Sequence, residues 1–157
     1  MKIPRLLFLL LIPLFLSCNL QSDYKIVKKS NEIRSQFNNW KTNSVARDEI
    51  KISIQSFLDS KVGSNFTLID DLPFTIWALS ENILHLTFTD EDNKIFVYID
   101  MLKVPKDVIL SLHVGQVVYI GGTLVSYSEH YTGTISTSDD LLKWELFMNY
   151  DSIRTLR

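Results

Sequence analysis

One cysteine, Cys18, is all the chain has, so no disulfide framework can form within it and its stability must come from a hydrophobic core. Recognisable catalytic motifs are missing as well: there is no GxSxG, HExxH, CxxC or glycine-rich phosphate loop. The three histidines, His85, His113 and His130, stand in three different segments, so a metal site would need the fold to gather them. Neither a metal nor a cofactor is expected, and the chain reads as no enzyme. The apolar run Leu6 to Leu16 is well short of the roughly 20 residues that cross a bilayer as a helix. The acidic pairs and triplet, Asp70-Asp71, Asp90-Glu91-Asp92 and Asp139-Asp140, lack the fixed spacing of a calcium loop and read as solvated turns. Positive charge is scarce too. Lys and Arg number 16 against 18 Asp and Glu; losing Lys2 and Arg5 with an N-terminal leader leaves 14 against 18, a formal charge of −4. Phosphate-backbone binding rests largely on Lys and Arg displacing counterions, so this balance argues against nucleic acid as a partner.

What is present begins with a leader. Lys2 and Arg5 give it a positive start, Leu6 to Leu16 an apolar centre, and Ser17 a small residue before a cut. These are the parts of a secretory signal peptide over residues 1–17. The segment LFLSC, ending at Cys18, resembles the lipobox of bacterial lipoproteins, with Phe15 where leucine is usual. The resemblance implies that Cys18 is diacylated and becomes the new N-terminus. It implies a bacterial cell-envelope protein, anchored to the membrane by lipid and facing the periplasm or the surface. Two acyl chains meet the physical requirement for stable attachment. Residues 18–22 are then the lipidated cysteine and a polar tether. The alternative is a lone free or buried cysteine behind an ordinary signal.

Residues 23–60 read as helical. Ile26, Ile33, Phe37 and Trp40 fall near one helical face, and Ala46, Ile50, Ile54, Phe57 and Leu58 recur at helical spacing farther on. Ser44 is placed to cap the second segment, and Asp48 and Glu49 suit its positive first turn. A strand through Lys51 to Ile54 is the competing reading there. The lysines of the first helix, Lys25, Lys28 and Lys29, face either solvent or anionic lipid headgroups.

Period-two alternation takes over in residues 61–148. Phe74, Ile76 and Ala78 are expected on one face of a first strand, with Thr75, Trp77 and Leu79 on the other. In a second strand Leu84, Leu86 and Phe88 alternate with His85, Thr87 and Thr89. Asp90 to Asn93 form a turn, and Lys94 to Asp100 return with Ile95, Val97 and Ile99 inward and Phe96 and Tyr98 outward. Pro105 suits the first turn of a short helix and Gly115 its end. Gln116 to Tyr127 form another strand, bent at Gly121-Gly122. Gly133 to Ser138 and Leu141 to Phe147 read as the closing strand, and 149–157 as a polar tail.

The run LTFTDEDNKIFVYI, a short helix, and LHVGQVVYIGGTL resemble the centre of an oligonucleotide/oligosaccharide-binding (OB) fold of the tRNA-anticodon-binding type. Leu112, Gly115, Val118, Ile120 and Gly122 follow that family's strand pattern, while Asn93 stands where a glycine is usual. The resemblance implies an α+β protein: a small five-stranded barrel with a short helix between strands 3 and 4, preceded by helices. OB folds bind on the outer face of strands 2 and 3. On the register above, that face carries His85, Thr87, Phe96 and Tyr98, the candidate ligand-binding residues. Their rings could stack on sugars, bases or a partner's side chains, or the N-terminal helices could cover Phe96 and Tyr98 as a second small core. The partner expected is an envelope protein or a glycan; an oligonucleotide is the alternative.

Overall fold

The computed structural model describes residues 24–127 and 141–155. The expected signal peptide, Cys18 and its tether, His130, and the strand expected over 133–138 lie outside the described residues. Among the described residues there are five strands and three α-helices, an α+β architecture. The strands are β1 (Phe74–Leu79), β2 (Ile83–Thr89), β3 (Asn93–Asp100), β4 (Val117–Tyr127) and β5 (Leu142–Thr155). They form one mixed sheet in the order β1-β2-β3-β5-β4, in which only β3 and β5 run parallel. Because β1 also pairs with β4, through Phe74 with Val118 and Thr75 with Val117, the sheet closes on itself as a ring.

Alternation decides what the ring encloses. Phe74, Ile76, Leu84, Leu86, Ile95, Val97, Val118, Leu124, Trp144 and Leu146 are fully buried, and each strand's intervening residues face out. Each such side chain contributes about 1.5–3 kcal/mol by leaving water. The helices extend this core. α1 (Lys25–Arg34) buries Ile26, Val27 and Ile33; α2 (Ser44–Asp59) buries Ala46, Ile50, Ile54 and Leu58, one residue per turn. All but Ala46 belong to the same continuous cluster as the strand residues.

Several boundaries differ from the sequence reading, each for a local reason. α1 stops at Arg34, short of Phe37 and Trp40. The Ser35 hydroxyl donates to the Glu32 carbonyl, Phe37 N–H donates to Arg34 O, and Asn39 takes a left-handed φ of 57°. Phe37 and Trp40 still pack against the core from the connection. Asn43, and not Ser44, caps α2: its side-chain oxygen accepts from Val45 N and Ala46 N at 3.0 and 3.3 Å. No strand forms over Lys51 to Ile54, where burial of Ile54 with exposure of Ile52 is the helical phase.

Pro105 stands just before α3 (Lys106–Leu110), not inside it. Gly115 serves the turn into β4 and does not end the helix; its φ of 87° lets its N–H reach Ile76 O at 2.7 Å. Between Ile76 and Ala78 the pairing of β1 with β2 slips by one residue. Trp77 is the extra residue of that bulge, so Ala78 joins His85 on the outer face, opposite to the side expected for it. The segment read as a polar tail is strand: β5 runs on to Thr155, pairing Asn149 through Thr155 with Thr123 back to Val118. Its polarity reflects an outward-facing strand end, not the lack of a partner.

Asn93 does not use the left-handed backbone that a glycine would supply. It is buried, opens β3 opposite Leu142, and is held by Asp90, whose Oδ1 accepts from Asn93 N at 2.6 Å and Asp92 N at 2.9 Å. The acidic turn is therefore wired into the fold. Asp92 forms ion pairs with Arg34 at 3.0 Å and Lys41 at 2.9 Å, and Asp70 does so with Lys25 at 2.7 Å.

Candidate functional site

Strand residues alternate, and neighbouring strands pair in register, so the outer face is a set of rows running across the strands. One row is Ala78, His85, Tyr98 and Phe147. The next, toward the β2–β3 turn, is Thr75, Thr87, Phe96 and Glu145. The third is Thr89, Lys94 and Lys143. The face thus grades from aromatic to cationic along the strands. The four residues expected from the sequence are brought together here as two adjacent cross-strand pairs, His85 with Tyr98 and Thr87 with Phe96.

The first row is a continuous aromatic strip. The bulge at Trp77 aims its indole at His85, with ring centroids 5.1 Å apart and planes at 70°. His85 meets Tyr98 edge to face at 5.4 Å, and Tyr98 stacks on Phe147 at 4.9 Å and 23°. Four rings from four strands are therefore in successive contact, and each such pair adds about 0.5–1.5 kcal/mol beyond its buried area. Trp77 and Phe147 are 47% and 38% exposed, while His85 and Tyr98 are half-buried between them.

The ring contacts of this strip are all between strand residues. Phe96 lies under the Lys94 ammonium at 5.2 Å, and Tyr98 is flanked by His85 and Phe147. Contacts from the N-terminal segment go instead to the end of the ring that carries the β2–β3 turn. Tyr24 packs edge-on against Phe88 at 5.4 Å, Arg34 reaches Asp92, and Asp59 accepts from the Tyr127 hydroxyl at 2.7 Å.

Burial chiefly, and the nearby Glu145 carboxylate, push the Tyr98 phenol above its ordinary range. It is therefore a neutral hydrogen-bond donor at any physiological pH. Ser80 Oγ lies 3.4 Å from His85 Nε2, while His85 Nδ1 and Thr87 Oγ1 are buried without a protein partner. His113 is not brought to the strip; its backbone N–H donates to Gln116 Oε1 at 3.1 Å in the turn before β4. Among the described residues no three His, Cys, Asp or Glu side chains are grouped to hold a metal ion. The strip offers a ligand ring faces, aromatic edges and a phenol.

No protein-family model matches the chain, and no curated protein matches its sequence. What marks the site is its chemistry: four rings in succession, with a large exposed ring at each end of the strip.

Trp77 and Phe147 complete the strip, yet neither was among the expected site residues. The signal for Phe147 was present. Leu142, Trp144, Leu146 and Met148 alternate inward, which puts Lys143, Glu145 and Phe147 outward on a strand adjoining β3. Trp77 was expected on the face away from Phe74, but its contact with His85 depends on a bulge that no residue type there announces.

Proposed function

We propose that the protein is a non-catalytic cell-envelope lipoprotein, anchored to a bacterial membrane through Cys18, whose OB-fold module binds a protein or glycan partner on the aromatic strip. The leader from Lys2 to Leu16 and the LFLSC segment support the anchor. The OB reading is supported by a five-strand ring, by β1 pairing with both β2 and β4, and by α3 falling between β3 and β4 in the chain. The observation that carries the binding reading is the strip itself. Trp77, His85, Tyr98 and Phe147 touch in succession across four strands, and the outermost two stay exposed. An oligonucleotide fits less well. The processed chain is acidic overall, and Glu145 sits beside Phe96; Lys94 and Lys143 are the only Lys or Arg residues in the three rows of the face.

The test compares the full-length protein with a Trp77→Ala, Phe147→Ala double variant, in capture from envelope extract and on a glycan array. Both positions are exposed, so circular dichroism should show an intact fold. Aromatic anchors commonly cost more than 1 kcal/mol each when truncated, so binding by the double variant should fall by at least about tenfold. Equal binding by both chains would remove the strip from the function.

A further inference from the structure

Beyond Phe147 the strip runs into an open apolar hollow of about 100 Å³. Ile83, Tyr98, Val125, Phe147 and Met148 line it, with Asp100 also in its wall. Three of these are large side chains left in water: Ile83 at 37%, Val125 at 46% and Phe147 at 38% exposure. Val125 is there because the pairing of β4 with β5 slips between Leu124 and Ser126, which leaves it as an extra residue. Two bulges therefore shape this face: one aims Trp77 along the strip and the other sets Val125 at its far end.

We infer that the hollow receives an aliphatic side chain, leucine or isoleucine in size, from a partner peptide segment that carries a basic residue next to it. This rests on the reading of the strip as a binding surface and commits that surface to a protein partner. Volume is the first reason. An apolar cavity of about 150 Å³ takes a benzene ring. The hollow here is open and of about 100 Å³, which is room to seat a branched aliphatic side chain. Its lining is the second reason, since an apolar pocket beside exposed aromatics is where a partner's anchor side chain is fully desolvated. Charge is the third. Among the described residues no Lys or Arg lines the hollow, Asp100 does, and Glu145 acts on the neighbouring Tyr98. Asp100 is held in place by accepting from Leu102 N at 2.9 Å. An anionic occupant, whether a fatty acid, a phosphorylated headgroup or a uronic acid, would meet like charge, whereas a flanking Lys or Arg meets its opposite.

The test uses the full chain in phosphatidylcholine nanodiscs with labelled Ile, Leu and Val methyl groups. N-acetyl-Leu-Arg-amide is titrated beside N-acetyl-Ala-Arg-amide, N-acetyl-Leu-Glu-amide and methyl β-glucoside. The Leu-Arg probe should shift the Ile83 and Val125 methyls saturably. The Ala-Arg probe should bind about tenfold more weakly for its lost apolar contact, and the Leu-Glu probe about two- to fivefold more weakly for its reversed charge. The glucoside should leave these methyls unmoved. Val125→Phe, with Ile83→Phe as a second hollow-filling variant, should abolish the shifts. Equal binding of the Ala-Arg probe, a response to the glucoside, or no response to the Leu-Arg probe would overturn the inference. Capture that survives both filling variants but is lost in Trp77→Ala, Phe147→Ala would overturn the hollow and leave the strip standing. Capture indifferent to the double variant would overturn both.

Discussion

Gly122 has no room for a side chain. A Cβ there would stand 2.3 Å from the Asn149 carbonyl oxygen, which is backbone and cannot swing aside. At Gly121 the nearest atom would be Ser152 Oγ at 2.8 Å, the end of a side chain that can rotate away. Both lie where β4 and β5 shift register, so the pair lets two strand backbones approach closely. Gly122→Ala should cost about 1–3 kcal/mol, as overpacking does, and Gly121→Ala clearly less. Urea unfolding of the two variants checks this, and equal costs would show that the close approach is not what selects glycine. The sequence announced the bend by its double glycine but could not say which of the two was tight. The candidate face was legible in the same partial way. Alternation alone pointed His85, Thr87, Phe96 and Tyr98 outward, because one residue's direction fixes the next. Trp77 escaped because a bulge breaks that count.

One carboxylate gathers two cations of the N-terminal segment at the sheet's acidic turn. Asp92, in the turn between β2 and β3, pairs with Arg34 at the end of α1 and with Lys41 in the following connection. Arg34 is only 7% exposed, donates also to Asn31 Oδ1, and lies over the Trp40 ring at 5.5 Å. Burial alone would push the Asp92 carboxyl up. The Lys41 hydrogen bond and the charges of Arg34 and Lys41 outweigh it and hold the carboxyl below its ordinary value. A carboxyl with a depressed folded pKa gives stability that is present above its unfolded value, about 3.9, and is lost as pH falls through the folded one. Asp92→Asn should therefore destabilise the protein by about 1–2 kcal/mol at pH 7, less than the roughly 3–5 kcal/mol of breaking a fully buried pair because Asp92 is itself about a third exposed. The gap between variant and wild type should close as pH falls below about 4. Urea midpoints across pH 2 to 7 measure it, and a constant gap would mean that the ion pairs are not its cause. None of this was legible beforehand. The turn was plain from its composition, but its partners, at the end of α1 and in the following connection, are distant along the chain, and pairing of that range leaves no local pattern.

β5 holds the ring closed, being the strand that joins β3 on one side to β4 on the other. Its two halves do different work. Residues Leu142 to Met148 pair in parallel with β3 and supply Trp144, Leu146 and Met148 to the core. Residues Asn149 to Thr155 pair only with β4, and their partners, Val118 to Thr123, include the two residues at the start of β4's core-facing set, Val118 and Ile120. Composition made this second half look dispensable, since Asn149, Asp151, Ser152 and Arg154 are polar. Register shows otherwise, and Ile153 is half-buried against the core opposite Ile120. The same strand end reaches back toward the helices, where Arg154 donates to the Asp70 carbonyl at 3.2 Å beside the Lys25 ion pair. Ending the chain after Met148 removes six register pairs with β4. At a net 0.5–1.5 kcal/mol for each hydrogen bond lost, the cost should exceed about 3 kcal/mol. A domain of this size has about 5–15 kcal/mol in all, so the shortened chain should unfold at markedly lower temperature. It should also expose the start of β4 to amide exchange ahead of β2 and β3, because those two keep their partners. Thermal melting and exchange on the shortened protein read both effects. A melting temperature within about 2 °C of wild type, far less than a loss of that size should produce, would show that the ring does not depend on this strand end for closure.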